Sequence, residues 1–394
     1  MATPELTSAA AQLMRLASPT TGAALSPCVP LVWVPTWAFS FADSWISSLV
    51  PIDELQSAGL IDDRVLLRPD LWAWPRSKNP MYQQIGALSA EWTRSLREAA
   101  PVCPEDRAHR AISSAAADPR GGLRQCVPQC YERVLLCQFK STFDAYAAPM
   151  SPWRAGQRVA ASVIRRKPID ARGAMAMGPD ASSSGNEPSK GGRSQPLLRV
   201  LFVNRTRTKF PRSVANLAQL LLRCAQAKPR EWPSGWRVRC ASHEFGVPGR
   251  LLSDIRAARQ ADVLVGTHGA GLINAFFMRR GAVLVEARPY RFEGPWPDRY
   301  FRALTALEQE IFYLQISAGS AALSLPRPAD DVSVWDARDH AVHVPWRSLK
   351  DALHAAIHIN ASRSRYVHWL WTKGAAFVSE APKKLERAGA STKG

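Results

Sequence analysis

The residues able to do chemistry gather behind three short apolar runs. The first run, residues 197–203, is followed by Asn-Arg-Thr-Arg-Thr-Lys-Phe-Pro-Arg, which sets Arg205, Arg207, Lys209 and Arg212 close together, with Asn216 just beyond. A guanidinium presents a planar fork of N–H donors, so such a cluster suits a phosphate; a solvated basic loop is the plainer reading. The second run, residues 263–265, stops at Gly266 and leads into His268-Gly269-Ala270-Gly271-Leu272, with Asn274 after it. Two glycines one residue apart leave the main chain nearly bare where a strand gives way to a helix. N–H groups at a helix start attract anions, and glycine permits close approach. The spacing is neither GxGxxG nor GxxxxGK[ST], so the glycines alone could serve a structural turn. His268 shifts the reading toward a site, because side chains at the carboxyl end of a strand are those that meet ligands. The third run ends at Glu286, whose carboxylate could accept from ribose hydroxyls or pair with a neighbouring arginine.

These three runs belong to a regular alternation. Apolar stretches predict strands over 197–203, 236–240, 262–265 and 282–286. Helical spacing predicts helices over 213–225, 251–259, 271–278 and 351–359. Strands that are apolar throughout and separated by helices imply a parallel sheet covered on both faces. Residues 28–165 read as a second mixed unit. It has an apolar start at 28–37, strand candidates at 64–68 and from Tyr131, and helical spacing over 41–60 and 82–100. Between the units, 166–196 contains ASSSGNEPSKGGRSQP, which has little to bury and reads as a flexible linker or insert. The expected domains are therefore a disordered 1–27, an N-terminal α/β domain over 28–165, the linker over 166–196, a C-terminal domain over 197–372 and a polar tail over 373–394.

With 51 basic and 33 acidic residues, the chain carries a formal net charge of +18 and favours anionic partners. No nucleic-acid-reading motif or aromatic RNA platform accompanies that charge, so nucleic acid is not the expected partner. No run approaches the ~20 apolar residues of a membrane span, and the first 27 residues lack the apolar core of a secretory signal. The seven cysteines include Cys126 and Cys130, whose spacing is neither a CxxC motif nor half a zinc site. Buried free thiols are expected, with a disulfide from Cys28 or Cys103 to the group between Cys126 and Cys137 as the alternative. His354 and His358 stand at i, i+4 without an adjacent glutamate, and read as a helical surface pair rather than a metal site.

In order along the chain stand Arg205, Arg212, Asn216, then DVLVGTHGAGLIN, then Phe277, then Glu286 and Pro289. This set resembles glycosyltransferase family 61. The segment CYERVLLC at 130–137 and HVPWRSL at 343–349 are similar to segments of that family before its linker and at its end. The resemblance implies a GT-B-type architecture, with two Rossmann-like domains and a cleft between them. It implies an inverting glycosyltransferase that moves a sugar from a UDP-sugar donor to a hydroxyl of a glycan or glycoprotein acceptor, with no metal or other cofactor. It also implies residence in the Golgi, although no signal or anchor is seen in this chain. Arg205, Arg212 and Asn216 are the expected donor-binding residues on the first segment. His268, Gly269, Ala270, Gly271, Leu272 and Asn274 line the diphosphate and sugar, His268 as a catalytic residue, and Glu286 lies near the nucleoside. In the N-terminal half the family's N-x-x-H-x-x-x-D becomes Ser40-Phe-Ala-Asp43-Ser-Trp-Ile-Ser47. Asp43 then stands where a general base toward the acceptor is expected, or caps the following helix. This departure opens an alternative, a catalytically inactive relative that binds a nucleotide or a glycan.

Overall fold

The computed structural model describes residues 29–33, 65–69, 135–137, 152–166, 195–205, 212–247, 250–298 and 300–380. The expected helices over 41–60 and 82–100, Asp43, and most of the linker lie outside these residues. The three N-terminal strand candidates are strands: β1 (Val29–Trp33), β2 (Val65–Pro69) and β3 (Leu135–Cys137). They pair in parallel in the order β2-β1-β3.

The C-terminal strands form a six-stranded, wholly parallel sheet in the order β11-β8-β7-β6-β4-β5. Its members are β4 (Leu197–Asn204), β5 (Arg237–Glu244), β6 (Val263–Thr267), β7 (Val283–Arg288), β8 (Phe312–Ala318) and β11 (Ala376–Ser379). A two-stranded antiparallel pair, β9 (Ser324–Leu325) and β10 (Ala341–Val342), lies outside it. The chain is thus a mixed α/β protein with a mainly parallel sheet. Sheet order reverses between β4 and β6, the switch point at which doubly wound sheets open a crevice beyond their strand ends. The Arg205 and His268 segments leave from those two strands.

Alternate side chains on each inner strand enter opposite cores. Val263, Val265, Val283 and Val285 pack with helices α2 (Leu217–Gln226), α7 (Trp346–Ile359) and α8 (Arg363–Lys373). Leu264 and Leu284 pack on the other face with α1 (Pro152–Arg166), α3 (Leu251–Gln260) and the turn of 270–277. That two-sided burial is why these strands read as unbroken apolar runs. β8 has the same character over FYLQISA and was not anticipated, nor was β11 within the tail expected to be loose from residue 373.

Helix α1 precedes the linker in sequence yet shares the core of the C-terminal sheet, through Ala155, Val159, Ala160 and Val163. Gly156 lets it approach closely, since a Cβ there would collide with the main-chain oxygen of Phe276. Beside it, Gln157 Nε2 donates to the carbonyls of Phe276 and Met278 at 3.0 and 2.9 Å, and Trp153 Nε1 donates to Met278 at 3.0 Å. These donors satisfy carbonyls at the end of a short helix that would otherwise be buried without partners.

One other expectation changes, and the histidine pair stands on its helix as expected. Cys224 on α2 and Cys240 on β5 form a disulfide, with Cα atoms 6.0 Å apart. A helix-to-strand return across 16 residues leaves no spacing signal in sequence, so this pairing was not foreseen. His354 Nε2 donates to the main-chain oxygen of Glu231 at 3.0 Å, and His358 lies 5.6 Å from the Trp369 ring. Among the described residues no helix is long and apolar enough to cross a membrane.

Candidate functional site

The glycine loop is a 3-10 helix rather than the α-helix expected, running Ala270–Phe277. Its first internal bond is Leu272 N–H to Gly269 O at 3.0 Å. The N–H groups of Ala270 and Gly271 therefore precede the ladder and remain for another acceptor. Gly269 has φ 141, a region that side chains avoid, and a Cβ on it would meet the Arg205 guanidinium. Gly271 faces Val203, whose Cγ1 would lie 2.8 Å from an added Cβ. One glycine thus admits the arginine and the other seats the loop on β4. Leu272 is fully buried and belongs to the core, and Asn274 Nδ2 donates to Gly271 O at 2.9 Å. Both hold the loop in shape with their side chains.

Arg205 reaches across this loop, with Nη1 donating to His268 O at 3.2 Å. Burial first, then the charge of Arg212, pull its guanidinium down to about 10, while Asp339 works the other way. Arg212 pairs with Asp339 Oδ1 at 2.7 Å, and Arg338 Nε donates to the same carboxylate oxygen at 2.8 Å. Arg212 is likewise lowered, by burial and then Arg338. Among the described residues, three cations thus meet around one acid. Sequence reasoning missed Arg338 and Asp339, which follow β9 and approach only through tertiary pairing. Val214 bridges Val342, and the Asn216 amide grips the main chain of Val344, accepting from its N–H and donating to its oxygen at 2.9 Å each. Asn216 therefore braces this segment rather than turning its amide to an open site. Arg207 and Lys209 lie outside the described residues.

His268 is 5% exposed, and its Nδ1 lies 2.6 Å from Glu286 Oε1. Burial lowers the imidazole pKa, against the opposing pull of Glu286. Burial alone would raise the Glu286 carboxyl, but Arg288 beside it, with hydrogen bonds from His268 and Tyr313, carries it down to about 2. Glu286 is therefore an ionised acceptor, and His268 Nδ1 carries the proton that it donates. The neutral ring then keeps its lone pair on Nε2. Phe292, Tyr300 and Phe301 surround the ring with centroids 4.8, 5.2 and 5.7 Å away, and Trp296 lies at 6.1 Å.

The Glu286 expectation changes most. The side chain has no exposed surface, and both oxygens are taken: Oε1 by His268, Oε2 by Arg288 Nε at 2.9 Å and by the Tyr313 hydroxyl. The alternative of a salt bridge to a neighbouring arginine holds, and a ribose hydroxyl has no access. Arg288 also donates to Asp298 Oδ1 at 2.6 Å and to the Tyr313 oxygen at 3.0 Å. Period-2 spacing on β7 puts Glu286 and Arg288 on one face, a signal available in the sequence. Tyr313 and Asp298 join from outside any local pattern. Among the described residues no group of three or more His, Cys, Asp or Glu is placed to hold a metal ion.

The comparisons agree with the motifs. Residues 98–285 match the model of a family described as Glycosyltransferase 61. The chain is also similar to protein O-linked-mannose beta-1,4-N-acetylglucosaminyltransferase 2 of Mus musculus, 35% identical over 101 residues. That similarity covers 26% of this chain and 15% of the mouse protein's length. Residues 98–285 of this chain are thus similar to the family that the ordered residues resemble.

Proposed function

We propose that this chain is an inverting glycosyltransferase of GT-B-type architecture that takes a UDP-sugar as donor and a glycan or glycoprotein hydroxyl as acceptor. The observation that carries this reading is the cation cluster at the switch point. Arg205 and Arg212 stand beside the bare Gly269–Gly271 main chain, and the pKa of each is lowered by burial and by a neighbouring arginine. A diphosphate would reverse that electrostatic penalty and accept the N–H groups that open the 3-10 helix.

During transfer, the acceptor oxygen bonds to the anomeric carbon as the bond from that carbon to the diphosphate breaks. Negative charge grows on the departing diphosphate, where fixed guanidinium and amide donors offset it without a metal. The hydroxyl proton needs an acceptor. His268, held by Glu286 with its proton on Nδ1, offers Nε2 for that step. Asp43 is the candidate base from the N-terminal half.

The test is a donor screen. UDP and a set of UDP-sugars are titrated against thermal stability, starting with UDP-N-acetylglucosamine because of the mouse relative's name, and sugar transfer is then followed with the stabilising donor. Selective stabilisation and turnover are expected. Binding without turnover of any donor would favour the inactive alternative, and the absence of binding to UDP or any UDP-sugar would sink the reading.

A further inference from the structure

With Glu286 sealed inside, the nucleoside end of the donor needs another partner, and an aromatic pair with one exposed ring stands beside the cations. Trp335 is a large apolar side chain that is 57% exposed, and Trp296 packs against it with ring centroids 4.0 Å apart. Arg338 lies over both rings, at 5.6 Å from Trp335 and 5.9 Å from Trp296. The pair is fixed from both sides. Trp296 packs edge-on against Phe292 and Tyr300 at 5.6 and 5.5 Å. Trp335 sits on a single helical turn, Val334–Ala337, whose Ser333 cap accepts from Asp336 N–H at 3.1 Å.

The contacts close a circuit around the donor-phosphate position. His268 faces Trp296 at 6.1 Å, and Arg338 joins Trp296 to Asp339. Asp339 pairs with Arg212 at 2.7 Å, Arg212 acts on Arg205, and Arg205 returns to His268 O at 3.2 Å. An anionic group held by Arg205 and Arg212 is therefore two ion pairs from an open indole. A molecule that joins a diphosphate to a planar ring matches both ends of that arrangement, whereas a neutral glycan matches only the indole.

We infer that Trp335, backed by Trp296 and Arg338, is the platform on which the nucleobase of a nucleoside diphosphate stacks. The inference rests on the donor reading above and adds the recognition of its base. Trp335 reaches solvent from a surface turn, so its truncation leaves the core intact.

The experiment titrates the full chain calorimetrically with UDP and, separately, with inorganic pyrophosphate, which lacks the base. Trp335→Ala should weaken UDP about ten- to a hundredfold, the range that loss of one base–aromatic stack implies. Pyrophosphate affinity should stay at the wild-type value. Trp335→Phe should recover most of the loss, and Trp371→Ala, an exposed tryptophan on α8, should match wild type. Unchanged UDP affinity in Trp335→Ala overturns the inference and leaves the donor reading standing. So does an equal loss of both ligands, or a loss confined to the acceptor KM. A wild-type chain that binds neither UDP nor pyrophosphate overturns both.

Discussion

Arg205 and Arg288 are both arginines drawn into the protein on either side of His268, and their surroundings push them in opposite directions. Burial lowers both. At Arg288 the charge of Glu286, with Tyr313 and Asp298 beside it, outweighs burial and raises the guanidinium above its ordinary value. At Arg205 the next charge is Arg212, and the group falls to about 10 against the opposing pull of Asp339. The first arginine is part of a finished network whose charges answer one another inside the fold. The second belongs, among the described residues, to a cluster of three cations around one acid, where a ligand could add negative charge. On the proposed reading one is scaffold and the other is site, a difference that exposure alone does not reveal.

The largest test of that contrast is stability. Arg288→Met leaves Glu286 buried without its cation and should cost about 3–5 kcal/mol, the usual penalty for stranding one partner of a buried pair. Arg205→Met removes a charge that its surroundings already disfavour and should leave stability near wild type. Denaturant melts of both variants check this, and equal losses would break the comparison.

A smaller effect sharpens it by pH. The Glu286 carboxyl is about 2 in the folded chain against an ordinary 4.5. The unfolded chain therefore binds more protons in that window, so stability is fully present above about 4.5 and is lost as pH falls toward 2. His268, lowered from 6.5, adds a loss of the same sign below that value. Unfolding free energy measured between pH 5 and 3 should fall less steeply in Glu286→Gln than in wild type. The same slope in both would remove Glu286 from the account.

Smaller again is the support beneath the loop. Gly156→Ala drives a methyl into the Phe276 carbonyl and should cost about 1–3 kcal/mol through forced displacement of α1. UDP affinity should be retained in that variant at a temperature where it stays folded. A thermal melt showing no change would mean that α1 does not hold the 3-10 helix.

Much of this was legible because it is local. The strands β4, β6 and β7 carry unbroken apolar runs, and the Arg205 and His268 segments stand at the carboxyl ends of β4 and β6, so sequence order alone marked those strand ends, while the switch point between them came from the sheet order. Glu286 and Arg288 were adjacent on paper, and two-residue spacing could have settled their pairing. The rest depended on tertiary approach. Asp339 reaches Arg212 only because the segment around Val342 and Val344 docks on Val214 and Asn216. Trp296 and Trp335 come from segments following different strands, and no periodicity links them. Helix α1 lies before the linker and gives no sequence sign that its core is the C-terminal sheet. The 3-10 form of 270–277 escaped because apolar content predicts burial without fixing the hydrogen-bond step.

The central claim is that the Arg205 cluster holds the diphosphate of a nucleotide donor, and calorimetric titration of UDP into wild type and Arg205→Met tests it most directly. Loss of one charge-assisted contact worth roughly 1.5–3 kcal/mol should weaken UDP about ten- to a hundredfold while the melting curve stays in place. UDP bound equally well by both proteins would contradict the account.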